Sequence, residues 1–163
     1  MDSGDLRKIG MMPSVLDRII DPSSLGTLAR PGFSVEDLVA SVRRDVEDLL
    51  NTRQNQDKTI DEFPLLAGSV YRFGMPEMVS MRASSPEDRQ KIGRVLEKII
   101  AQYEPRLSNI KAVLVGDTKD TTHGTVNFRI EGRLRLDPAP EVVFETLLEF
   151  ATGQSRIEET SLR

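Results

Sequence analysis

Residues Thr125 to Leu136 alternate strictly between apolar and polar positions. Val126, Phe128, Ile130, Leu134 and Leu136 fall on one side of an extended chain and Asn127, Arg129, Glu131, Arg133 and Arg135 on the other, which predicts a strand with one buried face. Elsewhere the period is that of a helix. From Val35 to about Asn51 the apolar positions Val35, Leu38, Val39, Val42, Val46, Leu49 and Leu50 form one stripe, with Arg43, Arg44, Asp45, Glu47 and Asp48 on the wetter side. Ser34 is placed to cap this helix, and Glu36 and Asp37 sit where the helix dipole favours negative charge. A second helix is predicted from Ser85-Pro86-Glu87-Asp88 to about Tyr103, striped by Ile92, Val95, Leu96, Ile99, Ile100 and Tyr103. Pro105 ends it, because the residue before a proline is pushed out of helical geometry. Glu104 is thereby held at a helix terminus.

The remaining segments are shorter or less regular. Ile110, Ala112 and Leu114 on one side, with Val113 and Val115 on the other, predict a strand, followed by a polar connection from Gly116 to Gly124. Val142 to Leu148 fits strand or helix and reads better as strand, after a turn at Asp137-Pro138-Ala139-Pro140. Between the helices, Thr52 to Ala83 reads as a long ordered loop or a set of short turns. Within it Tyr71-Arg72-Phe73-Gly74-Met75-Pro76 is a candidate contact surface, with Tyr71 and Phe73 as its aromatic members, or alternatively a cap on the core. Near the start, Pro13 to Ile20 offers a short apolar segment with Leu16, Asp17 and Arg18, which either docks on a partner or covers an edge of the chain's own core. The expected architecture is α+β: two main helices packed on a small, mainly antiparallel three-stranded sheet, with an N-terminal extension. Residues 1–30 form that extension and docking segment, 31–152 the domain and 153–163 a flexible tail.

Composition narrows the function classes. The 163 residues allow a single core. Twenty-two basic against 26 acidic side chains leave a net charge of -4, which argues against nonspecific binding to nucleic acid or an anionic membrane surface. The absence of cysteine removes disulfides, thiolate metal sites and thiol nucleophiles, and suits a reducing cytoplasm. No apolar run approaches the roughly 18 residues that span a bilayer, and Met1 to Met12 has no apolar signal core. With no tryptophan and six phenylalanines, any aromatic-lined groove would be small.

Candidate chemistry is sparse. Glu104 is the best single acid, since it follows an apolar helix, but the neighbouring Arg106 would keep it ionised and marks it as half of an ion pair. His123 is the only histidine and lies in a polar connection. No calcium-loop pattern or glycine-rich phosphate signature appears, so no metal, cofactor or catalytic residue is expected. Arg129, Arg133 and Arg135 on one strand face fit a solvated face, a phosphate contact, or a strand that accepts a strand from another chain.

Four segments in order carry a resemblance: Ser14-Val15-Leu16-Asp17-Arg18, Asp48-Leu49-Leu50-Asn51-Thr52-Arg53, Tyr71 to Pro76, and Glu104-Pro105-Arg106-Leu107 after the second helix. With them the chain resembles the phage baseplate wedge and lysozyme-like family, and within it the TssE branch, baseplate subunits of bacterial type VI secretion systems. The resemblance covers most of Pro13 to Arg156. It implies a structural subunit, not an enzyme, that links the wedge to the contractile sheath and initiates sheath polymerisation through a sheath-like, strand-accepting domain. Implied partners are the wedge subunits TssF, TssG and TssK and the sheath subunits TssB and TssC, in a cytoplasmic baseplate at the inner membrane, with no nucleic acid and no membrane insertion. Glu104, Pro105 and Arg106 carry over as the family's core triplet. The alternative is a lysozyme-like peptidoglycan hydrolase using Glu104, although the chain shows no second acid in an identifiable site and no aromatic sugar platform.

Overall fold

In the computed structural model the described residues are 14–20, 34–57, 59, 62–66, 68–77, 85–115, 125–149 and 152–162. His123 and the rest of the polar connection lie outside them. Helix α1 spans Val15–Ile20, α2 Val35–Asn51 and α3 Pro86–Tyr103; the strands are β1 Leu107–Val115, β2 Thr125–Leu134, β3 Glu141–Glu149 and β4 Gln154–Leu162. The strands form one antiparallel sheet in the order β1-β2-β3-β4.

Local chemistry fixes both long helices at their starts. The Ser34 hydroxyl accepts the Asp37 N–H at 3.1 Å while the Asp37 carboxylate accepts the Ser34 N–H at 3.0 Å, a reciprocal cap on α2. Ser85 caps α3 by accepting the Asp88 N–H at 3.1 Å, with proline in the first turn. The apolar stripes of the helices then close over one face of the sheet. Leu38, Val42, Val46, Leu49, Ile92, Leu96 and Ile100 pack with Phe128, Ile130, Leu134, Phe144 and Ile157, all buried. Gly132 occupies the inward position between Ile130 and Leu134, where an added Cβ would meet Leu107, Ser108 and Ile110 at ordinary van der Waals distance.

One expectation is corrected. Among the described residues the sheet has four strands, not three, because Gln154–Leu162 within the supposed flexible tail (153–163) pairs with β3 along its length. Of the three readings of the alternating strand, strand acceptance does not hold, since β2 is not an edge. It is bonded to β1 on one side and β3 on the other, so the alternating strand has no free backbone with which to accept a strand from another chain.

The true edges carry helix side chains. Along β4, Arg43 donates to the Ile157 carbonyl (2.8 Å), Glu47 accepts the Ile157 N–H (3.3 Å), and Asn51 both donates to the Ser155 carbonyl (2.9 Å) and accepts its N–H (2.8 Å). Those three residues are spaced by four along α2 and therefore share one face. They supply the bonds that a fifth strand would make there. On β1, Glu97 of α3 accepts the Ala112 N–H at 2.9 Å. Gly93 lets the helix approach the Ala112 carbonyl, to which an added Cβ would come within 3.2 Å.

The loop after α2 is pinned to the body. Met75 N–H donates to the Thr52 carbonyl (2.7 Å), Gln54 N–H to the Met75 carbonyl (2.8 Å) and the Gln54 side chain to the Arg72 carbonyl (2.8 Å). Tyr103 donates to the Ser69 carbonyl (3.1 Å) and meets Phe73 edge to face, with ring centroids 5.3 Å apart.

Candidate functional site

The most developed polar cluster begins where α3 gives way to β1. Glu104 ends the helix by donating its N–H to the Ile100 carbonyl (2.8 Å), and only 3% of its surface is exposed. Pro105 is exposed and permits the reversal that brings Arg106 back over Glu104. Arg106 donates its backbone N–H (3.0 Å) and its Nε (2.7 Å) to Glu104 Oε1, and its Nη2 to Oε2. The same guanidinium reaches across to α2, donating to Asp45 Oδ2 (2.6 Å) and to the Ser41 hydroxyl (3.0 Å). Burial works against the charge on Arg106, but Glu104 and Asp45 more than offset it and raise its pKa.

The cluster continues to α1. Ser41 in turn donates its hydroxyl to Asp17 Oδ2 at 2.7 Å, and Arg44 bridges Asp17 Oδ1 (2.7 Å) and Asp45 Oδ1 (2.7 Å). Asp17 also accepts the Ser14 N–H at 3.0 Å as part of the cap on α1. Three carboxylates and two guanidiniums thus join α1, α2 and the α3–β1 junction. Burial raises the pKa of Asp17, but the bonds from Ser41, Arg44 and Ser14 outweigh it and hold the carboxyl well below the usual carboxylate range.

A depressed carboxyl in the folded state stabilises the fold fully above the unfolded-chain pKa, about 3.9, and loses that contribution as pH falls toward the folded value. The stability difference between the native chain and Asp17→Asn is therefore expected to be largest above about pH 4 and to shrink as the medium is acidified below it. Urea titrations across that range measure it; a difference independent of pH would show that Asp17 is not ionised in the fold.

The remaining candidate residues are placed unevenly. On α1, Asp17 faces inward, Leu16 is exposed with Val15, Ile19 and Ile20, and Ile19 reaches 75% exposure; the Arg18 side chain lies outside the described residues. Tyr71 is 48% exposed in the turn Val70–Arg72, whereas Phe73, a candidate surface contact or cap on the core, takes the second role and packs against Tyr103 and the core. Arg129 and Arg133 lie on the outer face of the sheet, paired across strands with Glu145 (3.1 Å) and Glu141 (2.7 Å). Arg135 lies just past the end of β2, with its backbone N–H on the Arg106 carbonyl at 2.9 Å. Sequence reasoning missed Ser41 and Asp45; the one available signal was a serine inside the apolar stripe of α2.

The polar cluster at the α3–β1 junction is closed by ion pairs and tied to α1, whose apolar residues face outward, an arrangement that fits a structural module. Over residues 36–139 the chain matches the family of the baseplate wedge protein gp25, and it belongs to that family, which includes TssE. It is a baseplate component of a phage tail-like contractile system. No curated protein matches it. Among the described residues no helix is long and apolar enough to cross a membrane.

Proposed function

We propose that this chain is a TssE-type subunit of a type VI secretion baseplate, seated on the wedge and serving as the first platform for the contractile sheath. The observation that carries this reading is the polar network that fastens α1 to the α3–β1 junction while turning Val15, Leu16, Ile19 and Ile20 outward. A six-residue helix with Asp17 buried and Val15, Leu16, Ile19 and Ile20 in solvent gains little alone, but becomes favourable once a partner covers that side. In this reading α1 meets the wedge, TssF, TssG and TssK, and the sheet offers itself to the sheath subunits TssB and TssC at the cytoplasmic face of the inner membrane. Since β2 is interior and α2 guards β4 at Ser155 and Ile157, a sheath strand would add along β1 or along the part of β4 beyond Ile157.

The hydrolase alternative fits the geometry poorly. Both Glu104 oxygens accept from Arg106 and the residue is buried, so neither oxygen is free to face a substrate.

Co-expression with the wedge and sheath subunits, followed by affinity purification, tests the proposal. The native chain should be retained by both groups. Leu16→Asp with Ile19→Asp, both exposed and so harmless to the fold, should lose the wedge subunits while keeping native thermal unfolding. A native chain that co-purifies with neither group would end the reading.

A further inference from the structure

We infer that the open groove between the second half of α3 and the start of β1 is a binding site for an acidic, extended segment of a partner protein. Arg94 and Lys98, one helical turn apart on α3, line one wall, and Arg135 lines the other. All three are exposed, and none is in an ion pair with a carboxylate among the described residues. Arg44, Lys91, Arg106, Arg129 and Arg133, by contrast, each have a carboxylate partner, and the net charge is -4. Arg135 is the one arginine of its alternating run left without such a partner. Glu97 also lines the groove, but its carboxylate is engaged with the Ala112 N–H.

The walls between the cations suit a peptide. Asn109 has a positive φ of 53°, and the β1–β2 register slips between Ser108 and Lys111, so a bulge puts Ser108 and Asn109 beside the cations. Ala101 and Ile110 add apolar surface. A groove of about 500 Å³, open along its length, accommodates a passing chain whose alternate carboxylates meet the three cations. Nucleic acid is disfavoured, because three cations interrupted by a carboxylate do not make a phosphate track and the surrounding chain is acidic overall. This inference is independent of the type VI reading.

A fluorescent peptide of alternating Glu and Val provides the probe, with the Gln-Val peptide and a single-stranded oligonucleotide of similar length as comparisons, in anisotropy titrations at low salt. The acidic peptide should bind the full native chain, weaken as salt is added, and bind the triple variant Arg94→Gln, Lys98→Gln, Arg135→Gln at least about tenfold more weakly. Amide resonances of Ser108 to Lys111 should shift on binding to the native chain. The unfolding temperature of the variant, measured alongside, separates loss of the site from loss of the fold. Absence of binding, equal binding by the Gln-Val peptide, undiminished binding to a folded triple variant, or binding of the oligonucleotide in preference to the peptide would each overturn the assignment.

Discussion

Arg106→Ala is expected to destabilise the folded chain by about 3–5 kcal/mol, the usual consequence of leaving a buried charge without its partner. The lower end of that range is the better guide, because the Arg106 side chain is 21% exposed and water can enter the gap. The loss is not one contact. Glu104, whose side chain is only 4% exposed, would be left with no guanidinium on either oxygen, and Asp45 and Ser41 would each lose a donor. Arg106→Lys is expected to fall between the two, since a single ammonium cannot hold both Glu104 oxygens and reach α2 as well. Denaturant titration of the three proteins measures the series. A cost below about 1 kcal/mol for the alanine variant would show that the cluster finds other partners for Glu104 and that Arg106 is not what holds it. The same change should loosen α1, because the Ser41 hydroxyl accepts from Arg106 while donating to Asp17; hydrogen exchange at Val15–Ile20 reads that consequence separately.

The parts of this structure written in strong periodicity were legible. Helices α2 and α3 and the inward face of β2 follow from stripes of Val, Ile and Leu, and the match to the gp25 family agrees with the resemblance carried by short ordered segments. Strand β4 was not legible for a physical reason. Its sequence, Gln-Ser-Arg-Ile-Glu-Glu-Thr-Ser-Leu, places Ser155 and Thr160 at inward positions, and a register shift opposite Glu145 and Thr146 breaks its alternation, so only Ile157 signals a buried face. Tertiary pairing with β3 and the side chains of α2 make it a strand; local propensity does not. The polar cluster was half legible: Glu104 and Arg106 are two residues apart, but Asp17, Ser41 and Asp45 come from elements that only the fold brings together. Asp45 read as a solvated side chain of α2, and no period in the sequence distinguishes it from Asp48. The edge or interior status of β2 is likewise a property of sheet order, which the alternation of one strand does not encode.

Gly74→Ala should detach the Tyr71 turn from the body of the protein. Gly74 has a φ of +113°, a conformation that strains any residue with a Cβ. An added Cβ would also lie 2.5 Å from the Thr52 carbonyl oxygen and 2.9 Å from its carbon, and both are backbone atoms that no side-chain rotation can move aside. That carbonyl accepts the Met75 N–H, so relieving the clash breaks the bond that pins the loop and draws Met75 out of the core. Strain and the lost bond together give an expected cost of about 2–4 kcal/mol. Gly68→Ala is the matched comparison, because no atom lies within 4 Å of the Cβ it would add and its φ is not in the positive region. The readout is unusually direct. The chain has no tryptophan and two tyrosines, Tyr71 in the turn and Tyr103 against Phe73 with its hydroxyl on the Ser69 carbonyl, so the tyrosine band of the near-ultraviolet circular dichroism and tyrosine fluorescence report on this region. Loss of those signals with retained far-ultraviolet helicity would place the loop as a separable unit on a standing α+β core. If instead helicity collapses with them, the Thr52–Met75 clasp is part of what holds α2 in place, since Thr52 also closes that helix by donating to the Asp48 carbonyl.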